Sequence, residues 1–353
     1  MMHPKKKTLI ILTPGFPSSE ADSTCLPMQQ SFVKALKEND PNLQIIVLSF
    51  QYPYSIQTYT WFGIAVKSFN GQNKGGIARL LLRRKLNTAL KEINRHNKII
   101  GILSFWYNEC AWVGKKFADK NKLKHYCWIL GQDARTANTY AKSLQLKADE
   151  LIALSDFLQD EFKKNHGIKP AFVIPPGIDS KQFKTTTKEK NIDLLAAGSL
   201  IPLKQFEIFV KVVAGLKQQL PGIKAMLIGN GPEKDKLKTL IEKHALQSNM
   251  ILTGELQYPE VLQWMLRAKV FLHPSSYEGF SGVCQEALAA GAHVVSFCKP
   301  MKQDIKHWFI VNNKDEMKNL VLKILQNPGI AFEKTIPFDI NDTAKKMMKL
   351  FEV

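Results

Sequence analysis

At 353 residues, of which 45% are apolar, the chain is too long for one small core and long enough to bury two domains of ordinary size. Its 49 Lys and Arg residues against 31 Asp and Glu give a formal net charge of +18, which excludes an acidic surface and favours phosphorylated substrates, polyanions or an anionic membrane face. No apolar stretch reaches the length of about 18 residues that spans a bilayer, and the five scattered cysteines predict neither a zinc site nor a disulfide framework. We therefore expect a reducing, cytoplasmic location.

Short apolar segments alternate with longer amphipathic segments along the chain, which is typical of parallel sheets covered by helices. In the first half, the predicted strands lie at residues 9–12, 45–50, 99–105, 126–130, 151–154 and 172–174. Helices are expected between them. This alternation predicts a Rossmann-like domain over residues 1–184.

Residues 74–98 carry eight Lys and Arg side chains among regularly spaced apolar ones. Two interpretations stay open. An ordinary helix would bury its apolar face on the sheet, whereas a basic amphipathic helix would contact an anionic membrane at the inner face.

A polar segment without apolar periodicity, residues 185–191, is predicted to be an interdomain linker. A second alternating series follows it. Its predicted strands lie at residues 194–197, 225–228, 251–253, 270–272 and 294–297, and its predicted helices near residues 206–220, 233–245, 260–267 and 283–290. The series predicts a second Rossmann-like domain over residues 192–336. The expected fold class is therefore α/β, with two Rossmann-like domains facing across a cleft.

The most informative segment is YEGFSGVCQEALAAG, residues 277–291, in which Glu278 and Glu286 lie eight positions apart. A strand is predicted before it and another after it, so the glycine-rich loop leads into a helix. Backbone N–H groups and the positive end of a helix bind anions at such a loop. Two carboxylates beside it suit a nucleotide diphosphate sugar, with the phosphates on the amides and the hydroxyl groups on the carboxylates. The alternative is that Glu278 only caps the helix and both glutamates solvate its surface.

Together these segments resemble a family-4-type retaining glycosyltransferase with the GT-B fold, of the glycosyl transferases group 1, over nearly the whole chain. The matching segments are the E-x7-E motif at residues 277–291, its lead-in at 273–276, the strand-end turn at 173–179, the lysine-bearing segment at 196–209 and the glycine turn at 227–237. The resemblance implies that the helical tail, residues 337–353, packs back on the first domain.

The family implies transfer of a sugar from a nucleotide-sugar donor to a saccharide or lipid-linked acceptor, with retention of anomeric configuration, and with neither a metal nor a cofactor. No Asp-x-Asp motif occurs, in agreement with metal independence. The implied catalytic residues are Lys204, which would neutralise the departing diphosphate, and Glu278, which would hold the donor sugar. The implied donor-binding residues are Gly15, Ser199, Gly229, Gly231, Gly279, Phe280, Ser281, Gly282, Val283 and Glu286. The acceptor-side candidates are Trp106, Asn108, Gln132, Asp133 and Arg135.

Three residues depart from the family pattern. Ser199 stands where an arginine is common, Ser281 where the last glycine of a Gly-Phe-Gly loop is usual, and Gln132 where a histidine is common. Because glutamine does not exchange protons at neutral pH, Gln132 is expected to orient a substrate and not to act as acid or base. Two other candidates also have structural alternatives. Lys204 would then be a solvated surface lysine, and Trp106 an aromatic residue of the core.

Two other function classes stay open. One is a non-catalytic basic protein that binds nucleic acid or a sugar nucleotide, and the other is a sugar-nucleotide epimerase on the same fold. Nucleic acid is not the expected partner, because the basic residues are scattered without the interleaved aromatic residues of single-strand binding platforms.

Overall fold

The computed structural model describes residues 5–183 and 189–352. Within these ranges the chain forms two compact units. Unit 1 holds the described residues up to Gly177 and those from Ile340 onward, and unit 2 runs from Ile178 to Asp339. The division thus lies earlier than the boundary at residue 184 that the sequence predicts. Of the predicted linker, residues 185–188 lie outside the described residues.

The described part of unit 1 contains one eight-stranded sheet. Its strands are β1 (Lys7–Gly15), β2 (Gln44–Tyr52), β3 (Ile56–Trp61), β4 (Ile64–Phe69), β5 (Lys98–Phe105), β6 (His125–Ile129), β7 (Leu151–Ala153) and β8 (Phe172–Val173). The order across the sheet is β3-β4-β2-β1-β5-β6-β7-β8. Strand β3 runs antiparallel to β4, and the other pairs are parallel.

The hairpin of β3 and β4 is absent from the sequence prediction. Phe62 and Gly63 form its two-residue turn with φ of 43° and 75°, the conformation that hairpin turns with right-handed twist require. Strand β3 alternates between exposed and partly buried residues and forms the edge of the sheet. A short strand with one solvated face gives a weak hydrophobic signal, which explains the omission.

The described part of unit 2 contains a six-stranded, wholly parallel sheet. Its strands are β9 (Ile192–Ala197), β10 (Ala225–Ile228), β11 (Met250–Gly254), β12 (Ala268–His273), β13 (His293–Ser296) and β14 (Trp308–Ile310). The order is β11-β10-β9-β12-β13-β14. The predicted strands of the second half correspond to β9–β13, and the three-residue β14 was missed.

Helices cover the two sheets. They are α1 (Pro27–Asn39), α2 (Gly76–His96), α3 (Glu109–Asn121), α4 (Thr139–Leu144), α5 (Asp156–His166), α6 (Phe206–Lys217), α7 (Lys234–Lys243), α8 (Tyr258–Met265), α9 (Gly282–Ala289), α10 (Lys314–Gln326) and α11 (Ile340–Lys349). None of the helices within the described ranges is both long and apolar enough to cross a bilayer.

The last helix, α11, belongs to unit 1. Thr343 Oγ1 donates a hydrogen bond to the Pro175 carbonyl at 3.0 Å. Just beyond the helix, the Phe351 ring packs edge-on against Tyr126 of β6 with a centroid separation of 5.0 Å. These contacts bury the apolar face of this strongly amphipathic helix within the first unit.

Each sheet has a switch point at which successive strands depart to opposite sides. In unit 1 it lies between β1 and β5, and in unit 2 between β9 and β12. The predicted α/β class with two parallel-sheet domains is confirmed. In open sheets of this kind, ligands bind beyond the carboxyl ends of the strands at the switch point, so the loops after these strands carry the candidate site.

Candidate active site

The two predicted catalytic residues meet at the switch point of unit 2. Lys204 ends a short 3-10 turn after β9, and Glu278 lies in the loop between β12 and α9. Since β9 and β12 are neighbours, their carboxyl ends bring the two side chains together, and Lys204 Nζ donates a hydrogen bond to Glu278 Oε2. The side chains are 19% and 22% exposed, so the ion pair is reachable from solvent.

Serine side chains fasten the two loops that carry this ion pair. Ser275 Oγ donates to the Leu203 carbonyl at 3.2 Å, and the backbone N–H of Ser276 donates to the same carbonyl at 3.0 Å. The carbonyl belongs to the residue directly before Lys204. The HPSS lead-in to the E-x7-E motif therefore fixes the separation of the lysine and the glutamate.

His273, the last residue of β12, lies behind the ion pair and is 2% exposed. Its Nε2 atom is 3.5 Å from Glu278 Oε2. Burial and the neighbouring Lys204 ammonium lower the pKa of His273 to about 3, so the imidazole is neutral at physiological pH. The contact with Glu278 is therefore one of a neutral ring with a carboxylate and not a second ion pair.

The predicted phosphate-binding residues, Gly279 to Val283, form the entry to α9. Ser281 caps this helix, because its Oγ accepts the backbone N–H of Cys284 at 3.4 Å. The Phe280 side chain is buried and packs edge-on against Trp308 and Phe338, each at a centroid separation of 5.7 Å. Phe280 therefore anchors the loop, and only its backbone remains as a candidate donor contact. The apolar anchor holds the N-terminus of α9 beside the ion pair.

Glu286, the second glutamate of the motif, lies on α9 and is buried. Its Oε1 accepts a hydrogen bond from the Tyr258 hydroxyl at 2.9 Å, and Gln182 Oε1 lies 3.3 Å from the same hydroxyl. Burial raises the pKa of Glu286 to about 7, and the bond from Tyr258 opposes that rise. Tyr258 was not singled out from the sequence. Its position just beyond β11, at the start of α8, places it at the same edge of the sheet as Lys204 and Glu278.

The predicted glycines of the β10–α7 turn are required by close backbone contacts. A Cβ atom at Gly229, where φ is 148°, would lie 1.9 Å from the Gly198 carbonyl oxygen. At Gly231, where φ is 155°, it would lie 2.6 Å from the Leu200 carbonyl oxygen. Only glycine allows this turn to pack on the turn after β9. Ser199 lies exposed in that second turn, next to the segment that carries Lys204.

The acceptor-side candidates cluster beyond β5 and β6 in unit 1, and two of them have structural roles. Asn108 Oδ1 caps α3 by accepting the Cys110 N–H at 2.8 Å. The buried Asp133 carboxylate accepts the N–H groups of Tyr107 at 2.9 Å and Gly131 at 2.7 Å. Burial raises the pKa of Asp133, and these backbone bonds oppose the rise. The carboxylate thus ties the two loops together.

Of the remaining unit 1 candidates, Trp106, Gln132 and Arg135 are more accessible than Asp133, whereas Gly15 is buried. Trp106 directly follows β5, is partly exposed and has a left-handed backbone with φ of 64°. Strained conformations of large residues occur at functional sites, so this one favours a binding role for Trp106. Gln132 is exposed, Arg135 is partly buried, and Gly15 ends β1.

Asp22 organises the loop that follows Gly15 and was not singled out from the sequence. Its Oδ2 accepts hydrogen bonds from the Tyr52 hydroxyl at 2.8 Å and from the Ser18 N–H at 3.0 Å. Its Oδ1 accepts one from the Cys25 N–H at 3.2 Å. These bonds lower the pKa of Asp22, against the effect of burial. The loop at the switch point of unit 1 is therefore held by a carboxylate.

Neither unit offers a cluster of metal-binding side chains in the described ranges: no group of three or more His, Cys, Asp or Glu residues there is suited to hold an ion. The ion pair of Lys204 and Glu278 lies in the loops beside the α9 N-terminus.

Comparison with known proteins supports the resemblance. Residues 177–337 match the family described as glycosyl transferases group 1. The gpi3 subunit of phosphatidylinositol N-acetylglucosaminyltransferase from Schizosaccharomyces pombe is 28% identical over 131 residues, which cover 36% of this chain and 29% of that protein. Glycogen synthase from Mycobacterium tuberculosis is 28% identical over 178 residues, 49% of this chain and 43% of that enzyme. The chain thus spans between 29% and 43% of the length of these curated relatives.

The fold is shared with solved structures over almost the full chain. Anabaena HepE, solved in complex with UDP and glucose, superposes with a TM-score of 0.71 at 17% identity, covering 97% of this chain and 98% of HepE. A glycosyltransferase from Rickettsia africae gives a TM-score of 0.73 at 15% identity, with 98% of each chain covered. The two-domain fold implied by the sequence resemblance is confirmed.

Proposed function

Because the chain belongs to the glycosyl transferases group 1, we propose that it transfers a sugar from a nucleotide diphosphate sugar to a hydroxyl group of an acceptor. The observation that carries the proposal is the ion pair of Lys204 and Glu278 beside the N-terminus of α9. A cation, a carboxylate and a helix start in one loop cluster provide partners for a diphosphate and for sugar hydroxyl groups.

In the proposed donor complex, the ion pair opens and each partner takes a ligand group. The Lys204 ammonium turns to the diphosphate, and the freed Glu278 carboxylate accepts hydrogen bonds from hydroxyl groups of the sugar. The N-terminus of α9 faces the phosphates, whose charge its dipole stabilises by about 0.3–1 kcal/mol at exposed sites. Glu286, held by Tyr258, accepts hydrogen bonds from hydroxyl groups of the ribose.

We further propose that the reaction needs neither a metal ion nor a cofactor and proceeds with retention of anomeric configuration. Negative charge develops on the departing diphosphate, and Lys204 with the α9 N-terminus stabilises it in place of a divalent cation. Gln132 contributes by orienting the acceptor, because its amide does not exchange protons. Full turnover in excess EDTA and an anomeric coupling constant of the product equal to that of the donor, read by NMR, are the expected results.

The identity of the donor is the first point to test. HepE was solved with UDP and glucose, so UDP and its sugars head a thermal-shift screen that also includes GDP and ADP. A ligand at a hundred times its dissociation constant stabilises a protein by ~2.7 kcal/mol. We expect one nucleotide to raise the unfolding temperature, and Lys204→Ala to fold normally but lose most transfer activity. Near-wild-type turnover of Lys204→Ala would refute the proposed role.

A saccharide or lipid-linked sugar is the proposed acceptor, and helix α2 supports contact with an anionic membrane at the cytoplasmic face. From Leu82 onward, α2 packs in the core of unit 1 through Leu82, Leu86 and Leu90. Its first turns do not: Ile77 is 78% exposed, Leu80 50% and Leu81 48%. No Asp or Glu lies between residues 71 and 91, and the exposed charged residues around this apolar group are Lys74, Arg79, Arg84 and Lys85. The part of α2 from Leu82 onward is thus an ordinary helix packed on the core, and membrane contact is the proposal for its exposed first turns.

Flotation with vesicles decides the membrane contact. We expect the protein to float with phosphatidylglycerol vesicles at low salt, and to remain at the bottom with neutral phosphatidylcholine or at high salt. Aspartate at both Ile77 and Leu81 should abolish flotation. Ile251→Asp is the matched control, because Ile251 is 57% exposed but lies in unit 2. Equal flotation of both variants would contradict a docking role for α2.

The family match does not favour the two other function classes. An epimerase would convert its nucleotide sugar without an acceptor, and product analysis with and without acceptor separates the two activities. Nucleic acid is not a proposed partner.

A further inference from the structure

We propose that His273 is a positioning residue that holds the Glu278 carboxylate while the donor is bound. The inference deepens the proposed function and rests on it. The His273 Nε2 atom is buried and has no hydrogen-bond partner within the described residues, and it lies 3.5 Å from Glu278 Oε2. Buried polar atoms are almost always paired, so an unpaired one beside a candidate site calls for a partner.

The ring is suited to donate to that carboxylate. His273 is neutral, so it has one N–H donor and one bare nitrogen. The carboxylate oxygen 3.5 Å from Nε2 favours the tautomer with the proton on Nε2, because the other tautomer would set a lone pair against a negatively charged oxygen; the His273 backbone carbonyl, which also contacts the ring, competes for that proton. His273 therefore offers a neutral N–H to Glu278 from the buried side, while Lys204 approaches the same oxygen from the exposed side.

Donor binding changes what this N–H does. In the free protein the Lys204 ammonium occupies Glu278 Oε2. When Lys204 turns to the diphosphate, that oxygen loses its donor, and a shift of about 0.6 Å would bring His273 Nε2 from 3.5 Å to an ordinary hydrogen-bond distance. The bond then fixes the carboxylate, so that its second oxygen faces the sugar. Without it, the carboxylate would rotate when Lys204 leaves.

The test compares His273→Leu, which removes the donor at similar volume, with His273→Gln, which keeps an N–H. In His273→Leu we expect kcat to fall roughly 10- to 100-fold, the loss of one hydrogen bond to a charged group, with UDP affinity unchanged. His273→Gln should recover most of kcat. Wild-type kcat in His273→Leu, or an equal loss in both variants, would overturn the proposal.

A control and a second measurement keep structural effects apart. His293 lies in the neighbouring strand β13 at the opposite end of the sheet and is also buried, so His293→Leu should alter stability without the selective loss of kcat. In 15N-histidine-labelled protein without ligand, NMR should show His273 as the Nε2–H tautomer, with a signal that shifts in Glu278→Gln. The Nδ1–H tautomer would overturn the proposal. Absence of any nucleotide-sugar binding by the wild type would instead refute the proposed function, and the NMR result would still decide the His273 contact.

Discussion

Replacing Glu286 by glutamine is expected to stabilise unit 2 above neutral pH while it weakens donor binding. Glu286 is 7% exposed, and its carboxylate accepts a 2.9 Å hydrogen bond from the Tyr258 hydroxyl. Burial raises the pKa of its carboxyl from 4.5 to about 7. The folded chain therefore holds a proton on Glu286 in a pH range in which the unfolded chain has lost it.

The sign of the effect follows from that order of pKa values. Stability from the protonated carboxyl is fully present below pH 4.5 and is lost as pH rises to about 7, because ionisation must then occur in a buried site. The difference between 4.5 and about 7 corresponds to ~3 kcal/mol, at about 1.4 kcal/mol for a tenfold change in proton affinity. For a unit of roughly 160 residues, that is about 6–12 °C in unfolding temperature.

Differential scanning calorimetry from pH 5 to pH 8.5 checks this prediction. The unfolding temperature of Glu286→Gln should match the wild type near pH 5 and exceed it increasingly towards pH 8, because glutamine never ionises. Glu242→Gln, at an exposed glutamate of α7 in the same unit, is the control for loss of a negative charge. A difference between Glu286→Gln and wild type that is the same at every pH would refute the reasoning.

Three further predictions concern the framework of the site. Gly229→Ala should destabilise unit 2 by roughly 2–4 kcal/mol in urea denaturation, because its Cβ would overlap the Gly198 carbonyl oxygen; wild-type stability would contradict the turn geometry. Asp133→Ala should cost unit 1 about 3 kcal/mol or more, since backbone N–H groups lose their buried acceptor, and an unchanged urea midpoint would show that this carboxylate does not tie the loops. Tyr258→Phe removes a bond that lowers the pKa of Glu286, so donor affinity measured by calorimetry should fall more at pH 7 than at pH 8.5; an equal loss at both pH values would count against it.

The placement of the candidate donor-side residues could largely be predicted from the sequence because its determinants are local, whereas their role in donor binding stays a prediction. Lys204 and Glu278 each follow a strongly apolar strand, and neighbouring parallel strands end at the same edge of a sheet. The ion pair thus follows from strand order and motif, and the glycines at 229 and 231 reflect turns in which no side chain fits.

Other features depend on contacts between residues far apart in sequence. Tyr258 and Glu286 are 28 positions apart and meet only when α8 and α9 pack. Asn108 and Asp133 carry polar groups that suit a ligand equally well, and only the loop geometry shows that they satisfy backbone N–H groups. The β3–β4 hairpin escaped prediction because an edge strand buries little apolar surface.

Lys204 is proposed to bind the diphosphate and Glu278 the sugar, and isothermal titration calorimetry tests this separation of roles directly. UDP and one UDP-sugar, or the nucleotide that the screen identifies, are titrated into the wild type, Lys204→Ala and Glu278→Gln. Lys204→Ala should weaken both ligands at least about tenfold, the loss of one charged hydrogen bond. Glu278→Gln should weaken only the sugar-bearing ligand, because its lysine partner is left free for the diphosphate. Equal affinities in all three proteins, or equal losses for both ligands in Glu278→Gln, would contradict the account.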